Sequence, residues 1–152
     1  MSHSRLGAVS AKRRSVLIVE DDFTTRRLLE VVLSGQGYDV HGASDAEGGL
    51  AILNSTPIDL VLLDLVLPRA SGVDFLRARR NLDPAHQPPV IVVSAAPELD
   101  AMWTELRYLG ISLAIGKPFN IEALLAAVAA LVRKRRPHRA AHREAVAVKA
   151  GA

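Results

Sequence analysis

The chain contains no cysteine, which excludes disulfide frameworks, thiolate metal sites and cysteine nucleophiles together. It has no apolar run approaching the ~18 residues of a membrane span. Its opening residues, MSHSRLGAVSAKRR, lack the apolar centre that follows a basic start in a secretory signal. A cytoplasmic protein with no transmembrane segment is the expectation. The five histidines are scattered, three of them in the terminal segments, and none has metal-ligand spacing. No long-period repeat is visible.

What is present is enough for one ordinary domain: 152 residues, 49% of them hydrophobic. The net charge of +3 conceals a division. Residues 16–132 hold 15 acidic and 8 basic side chains, whereas the remaining ends hold 11 basic and one acidic. The expected organisation is a basic N-terminal tail at 1–13, an acidic domain at 14–133 and a basic, disordered C-terminal tail at 134–152.

Within the domain, short apolar runs alternate with helical patterns. The runs are SVLIV (15–19), YDVHG (38–42), DLVLL (59–63), PVIVV (89–93) and SLAI (112–115), and three are apolar almost throughout, as strands covered on both faces must be. Between them, Leu28, Leu29, Val32 and Leu33 form a stripe that GQG at 35–37 stops. Ser44 and Glu47 have capping-box spacing before Leu50 and Leu53. Pro97 opens a segment with Met102, Leu106 and Leu109 on one face, and Asn120 precedes Ile121, Leu124, Leu125, Val128 and Leu131. Residues 73–80 carry a weaker helical pattern. Five strand–helix units imply an α/β fold with a five-stranded parallel sheet, right-handed crossovers and helices on both faces.

In such a sheet the ligand site lies beyond the carboxyl ends of the strands. There the sequence places Glu20-Asp21-Asp22 after the first strand, Asp64 after the third, Ser94 after the fourth and Lys117-Pro118 after the fifth. Each has a bland reading: a helix cap for Asp22, a turn residue for Ser94, a solvated charge for Lys117. Their convergence on one edge favours a site. Clustered carboxylates either hold protons or bind a cation, and with only oxygen ligands Mg²⁺ is the natural ion. Lys117 offers a point charge to a phosphoryl oxygen and Ser94 a hydroxyl donor. A carboxylate can itself be the nucleophile, giving an acyl phosphate, and Asp64, set apart from Glu20 and Asp21, is the best candidate.

Four motifs in order, LIVEDD (17–22), DLVLLDLVLPRASG (59–72), VIVVSA (90–95) and GKPF (116–119), resemble the receiver domains of two-component response regulators over residues 14–133. The intervals of 43 residues from Asp21 to Asp64, 30 to Ser94 and 23 to Lys117 are similar to those of that family. The resemblance implies a doubly wound, flavodoxin-like sheet of strand order 2-1-3-4-5. It implies that Asp64 accepts phosphate from a histidine kinase or phosphotransfer protein, with Glu20 and Asp21 as the acidic pocket. Asp21, Asp64 and the backbone carbonyl of Val66 would bind Mg²⁺, Ser94 and Lys117 would hold the phosphoryl group, and a cis bond would precede Pro118. The protein would act as a signalling module that switches an interaction surface, not as a conventional enzyme.

The sequence also departs from the family. Ala114 stands where an aromatic residue usually lies three positions before the lysine. Val66 and Ala96 occupy positions where polar side chains often help water attack the acyl phosphate, so a long-lived phosphoryl group is expected. Phe119 and Trp103 read more readily as packing than as a partner-binding pair. RKRRPHR at 133–139 extends the last helix until Pro137, and residues 133–143 could make weak contact with nucleic acid or an anionic partner. With few residues after Pro137, the expectation is a stand-alone receiver with no fused DNA-binding domain. The alternative is a phosphorylation-independent scaffold or nucleic-acid-associated protein acting through the basic tails. A phosphatase with an aspartate nucleophile fits less well, because Val66 replaces the second acid of Asp-x-Asp.

Overall fold

A computed structural model describes residues 12–135. Five strands, β1 (Ser15–Val19), β2 (Asp39–Ala43), β3 (Leu60–Leu63), β4 (Val90–Ala95) and β5 (Leu113–Lys117), alternate with five helices, α1 (Phe23–Gly35), α2 (Ala46–Ser55), α3 (Gly72–Arg80), α4 (Ala96–Tyr108) and α5 (Ile121–Lys134). The strands form one sheet in the order β2-β1-β3-β4-β5, every pair parallel. The sequence-derived fold class and strand order are both found.

The three strands that read as apolar throughout, β1, β3 and β4, are buried along nearly their whole length. Alternate side chains feed two cores. Leu17, Val19, Val61, Leu63, Val90 and Val92 face one layer with Leu53, Phe75, Leu76 and Leu106. Val16, Ile18, Leu60, Leu62, Ile91 and Val93 face the other, with Leu29, Leu33, Leu124 and Val128. The edge strands β2 and β5 are more exposed, which explains their mixed composition. Asp59, the acid at the entrance to β3, is buried and accepts from the backbone N–H of Ser15 at 2.8 Å, with Arg14 beside it at 3.5 Å.

Most helix boundaries follow their sequence signals. Asp22 caps α1, Asn120 caps α5, and Gly37, at φ +91°, leaves α1 in a conformation suited to glycine. The cap of α2 differs from expectation. Asp45, not Ser44, occupies it, accepting from the N–H of Gly48 at 2.7 Å. An aspartate carboxylate reaches the N–H three residues on as well as a serine hydroxyl would, so the start moves by one. The box expected at 44–47 is found instead at Ser71 and Asp74, at the head of the weakly patterned α3. α5 ends at Lys134, with Arg135 already extended, so the helix stops short of Pro137. The expectations for residues 1–11 and 136–152, including tail disorder and most of the proposed 133–143 contact, lie outside the described residues. Among the described residues, no helix is long and apolar enough to cross a membrane.

Candidate functional site

The sheet register places the site. Val19 of β1 pairs with Leu63 of β3, and the N–H of Asp64 donates to the carbonyl of Val19 at 3.0 Å. Glu20 and Asp64 therefore emerge side by side at the point where successive connections leave in opposite directions, the crevice expected of such sheets. Leu63 pairs with Val92, and Ser94 with Gly116, which brings Ser94 and Lys117 to the same edge. Gly72, at the start of α3, is packed against the backbone of Asp64 and Leu65. Its N–H donates to the carbonyl of Leu65 at 2.9 Å, and a Cβ there would lie 2.7 Å from the Leu65 Cα and still closer to the Asp64 carbonyl oxygen. Only glycine fits this approach.

Asp64 and Glu20 are buried, at 7% and 3% relative exposure, whereas Asp21 is exposed. Lys117 Nζ bridges the two buried acids, donating to Glu20 Oε2 at 2.8 Å and to Asp64 Oδ2 at 3.0 Å. The other oxygen, Asp64 Oδ1, accepts from Ser94 Oγ at 3.1 Å and from the N–H of Val66 at 3.2 Å. Burial pushes the Glu20 carboxyl above its usual range, with the Asp64 charge adding to the effect and the Lys117 hydrogen bond opposing it. Burial acts to lower the Lys117 ammonium, but its hydrogen bonds to Glu20 and Asp64 prevail and hold it above the usual lysine value. The peptide bond between Lys117 and Pro118 is cis.

One ammonium thus faces three carboxylates. Oxygens of Glu20, Asp21 and Asp64 lie within 4.8 Å of one another. An all-oxygen donor set with excess negative charge suits a hard divalent cation, and exposed Asp21 leaves one side open to the waters such an ion keeps. The residues present therefore fit Mg²⁺.

The sequence-derived site residues Glu20, Asp21, Asp64, Ser94 and Lys117 are brought together at this edge, with Val66 beside them. Asp22 caps α1, its Oδ2 accepting from the N–H of Thr25 at 2.8 Å. These bonds to Thr25, side chain first, hold its carboxyl below the usual range. Phe119 packs against the core that contains Val128, whereas Trp103 on α4 is half-exposed, so the two do not form a pair. Two contacts around the site were not read from the sequence. Arg69, which leaves the Asp64 loop at φ +64°, forms an ion pair with Asp45, and Arg26 reaches the carbonyl of Glu20. For Arg26 a signal existed: it lies four residues after the cap, one helical turn above the acids.

Known proteins bear on this geometry in the same way. The response regulator receiver domain model matches residues 16–129. The transcriptional regulatory protein CpxR of Escherichia coli K12 is 38% identical over 124 residues, covering 78% of this chain and 49% of that protein. Response regulator ArlR of Staphylococcus epidermidis RP62A is 36% identical over 120 residues, covering 79% and 53%. The chain spans about half the length of these curated relatives. Among solved structures, the CheY-like receiver domain protein of Methanospirillum hungatei aligns with a TM-score of 0.72 at 26% identity, over 81% of this chain and 96% of that one. Chemotaxis response regulator CheY4 of Vibrio cholerae aligns at 0.72 and 25%, over 79% and 99%. With the strand order, the acidic edge and these matches in agreement, the chain belongs to the response regulator receiver domain family of two-component signalling.

Proposed function

We propose that this chain is a phosphoacceptor switch in which Asp64 takes a phosphoryl group from a phosphohistidine on a histidine kinase or phosphotransfer protein. The observation that carries the reading is the shared ammonium. Lys117 holds Asp64 and Glu20 together at 3.0 and 2.8 Å while Ser94 approaches the opposite oxygen of Asp64. A carboxylate at the ligand edge, with a cation and a hydroxyl beside it, is equipped to attack phosphorus and to receive the resulting charge.

In the step, an Asp64 oxygen attacks phosphorus as the phosphorus–nitrogen bond breaks. The electron pair leaves with the imidazole, and an acyl phosphate remains on Asp64. Lys117 transfers a hydrogen bond from the Asp64 carboxylate to a phosphoryl oxygen, and the Ser94 hydroxyl turns to another. Asp21, Asp64 and the Val66 carbonyl would hold Mg²⁺, with Glu20 completing the acidic pocket. When bound, the ion offsets negative charge gathering on the phosphoryl oxygens. Ser94 stands one residue from the end of β4, and α4 begins at Ala96 with no intervening loop. A displacement of Ser94 therefore acts directly on the first turn of α4, and a local charge event becomes a surface change.

The test is mass spectrometry of the intact chain after incubation with Mg²⁺ and a small acyl-phosphate donor, comparing wild type with Asp64→Ala. A gain of one phosphoryl group in wild type alone is expected. An equal gain in both would refute Asp64 as acceptor.

A further inference from the structure

The acidic turn is held from behind by a residue that the proposed phosphotransfer does not use. Arg26, on the first turns of α1, donates from Nη1 to the backbone carbonyl of Glu20 at 2.7 Å, and the same nitrogen lies 3.5 Å from the carbonyl of Asp21. One guanidinium thus ties down both carbonyls of the turn that carries two of the three clustered acids. The side chain is only 18% exposed, and its Nε lies 3.9 Å from Glu30 Oε1, one helical turn on. The ring of Phe23 lies 5.6 Å from the guanidinium carbon. Gly42, on the neighbouring β2, makes room for this arrangement. A Cβ at that position would run into the Glu30 carboxylate and lie 3.4 Å from Arg26 Cδ.

Two effects of opposite sign follow. A positive charge behind the acids repels an incoming cation. Against that, Asp21 is exposed, and its carboxylate makes no hydrogen bond to a described side chain. Its position rests on its own backbone, and that backbone is what Arg26 fixes. Partners of metal-binding groups act by orienting those groups before the ion arrives.

We propose that Arg26 is a positioning residue for divalent-cation binding, holding the Glu20–Asp21 main chain so that the three carboxylates converge before an ion arrives, and that this ordering outweighs its charge repulsion. The inference rests on the reading of Glu20, Asp21 and Asp64 as a Mg²⁺ site. The two effects make the sign of the outcome decisive: loss of a nearby positive charge alone would tighten Mg²⁺, whereas loss of the brace weakens it.

The test is calorimetric titration of the full chain with MgCl₂, alongside thermal melts in chelator, for wild type, Arg26→Met and Gly42→Ala. Arg26→Met is expected to weaken Mg²⁺ by about tenfold or more. Gly42→Ala alters no group at the site: its Cβ displaces the Glu30 carboxylate that lies beside Arg26, while meeting Arg26 Cδ only at ordinary contact distance. It is expected to weaken Mg²⁺ in the same direction by less, and it decides the matter if Arg26→Met does not fold. A purely structural role would lower the melting temperature and leave the Mg²⁺ Kd of the folded variants unchanged, which would overturn the inference, as would tighter binding. If wild type itself binds no Mg²⁺, the cation-site reading and this inference fall together. If wild type binds and the folded variants bind equally well, this inference falls alone.

Discussion

If Asp64 is the phosphoacceptor proposed above, capture and release of the phosphoryl group depend on different neighbours. Lys117 and Ser94 would serve capture. Release needs a water oriented for attack on phosphorus, and the flanking side chains that could orient one are Val66, 57% exposed, and Ala96, also exposed. Neither has a polar atom to offer. A positioned acid or base contributes ~10²-fold or more to such a step, so the phosphoryl group on Asp64 is expected to be long-lived. Val66→Asn, whose amide can orient a water but cannot take its proton, should shorten its lifetime by less than that factor. Loss of phosphoryl mass with time, in wild type and variant after donor removal, checks both statements; equal rates would show that Val66 is not the limiting neighbour. Gly72 acts on the same carboxylate through packing. A Cβ there meets the backbone of Asp64 and Leu65, which cannot rotate away. Gly72→Ala is expected to destabilise the fold by about 2 kcal/mol, as overpacked sites do, and to reduce phosphorylation of the fraction that remains folded. Urea denaturation measures the first effect and intact mass the second.

Among the elements, α3 shows why some helices were faint in the sequence. Its nine residues include three arginines, and its inward stripe is short, so periodicity alone is weak. Its definition comes from the N-terminus. The N–H of Ser71 donates to Asp74 Oδ2 at 2.9 Å, and the N–H of Asp74 donates back to Ser71 Oγ at 3.2 Å. The same box was expected one element too early, at Ser44 and Glu47, because Ser44 and Asp45 are both competent caps and spacing alone cannot choose between them. The α3 cap carries a pH signature. Hydrogen bonds from Ser71, its backbone N–H first and its hydroxyl second, hold the Asp74 carboxyl below its ordinary 3.8. A carboxyl lowered in the folded state contributes stability that is present in full above the unfolded value and is lost as pH falls through the folded one. Asp74→Asn should therefore cost stability at neutral pH, and its gap from wild type should narrow as the pH is taken below 3.8. Urea melts across pH 2–7 test this. Asp22 is lowered in the same sense, so some acid sensitivity remains in the variant.

For the whole molecule, the sequence was most legible where one physical constraint acted alone. Strands buried on both faces must be apolar throughout, so β1, β3 and β4 stood out, and the polar residues following them marked the site edge. The Arg69–Asp45 pair was not legible in that way. It joins two segments through a long side chain, and such a reach leaves no period in the sequence. The two cores lie on opposite faces of one sheet, so neither has a strand layer of its own. They are expected to unfold together. Leu62 and Leu63, adjacent on β3 and both buried, face opposite cores. Leu62→Ala and Leu63→Ala should each cost about 3 kcal/mol, a large fraction of the ~5–15 kcal/mol of an ordinary domain. Trp103, the only tryptophan, reports α4 by fluorescence, while far-UV circular dichroism reports all the helices. In both variants the two probes should give one coincident midpoint, shifted to lower denaturant. Separate midpoints, with Trp103 unchanged when Leu62 is cut away on the far face, would mean that α4 and its layer fold as an independent unit. Ser94 could then shift α4 without loading the rest of the sheet, whereas a coincident transition makes every displacement at the acidic edge a strain on both cores.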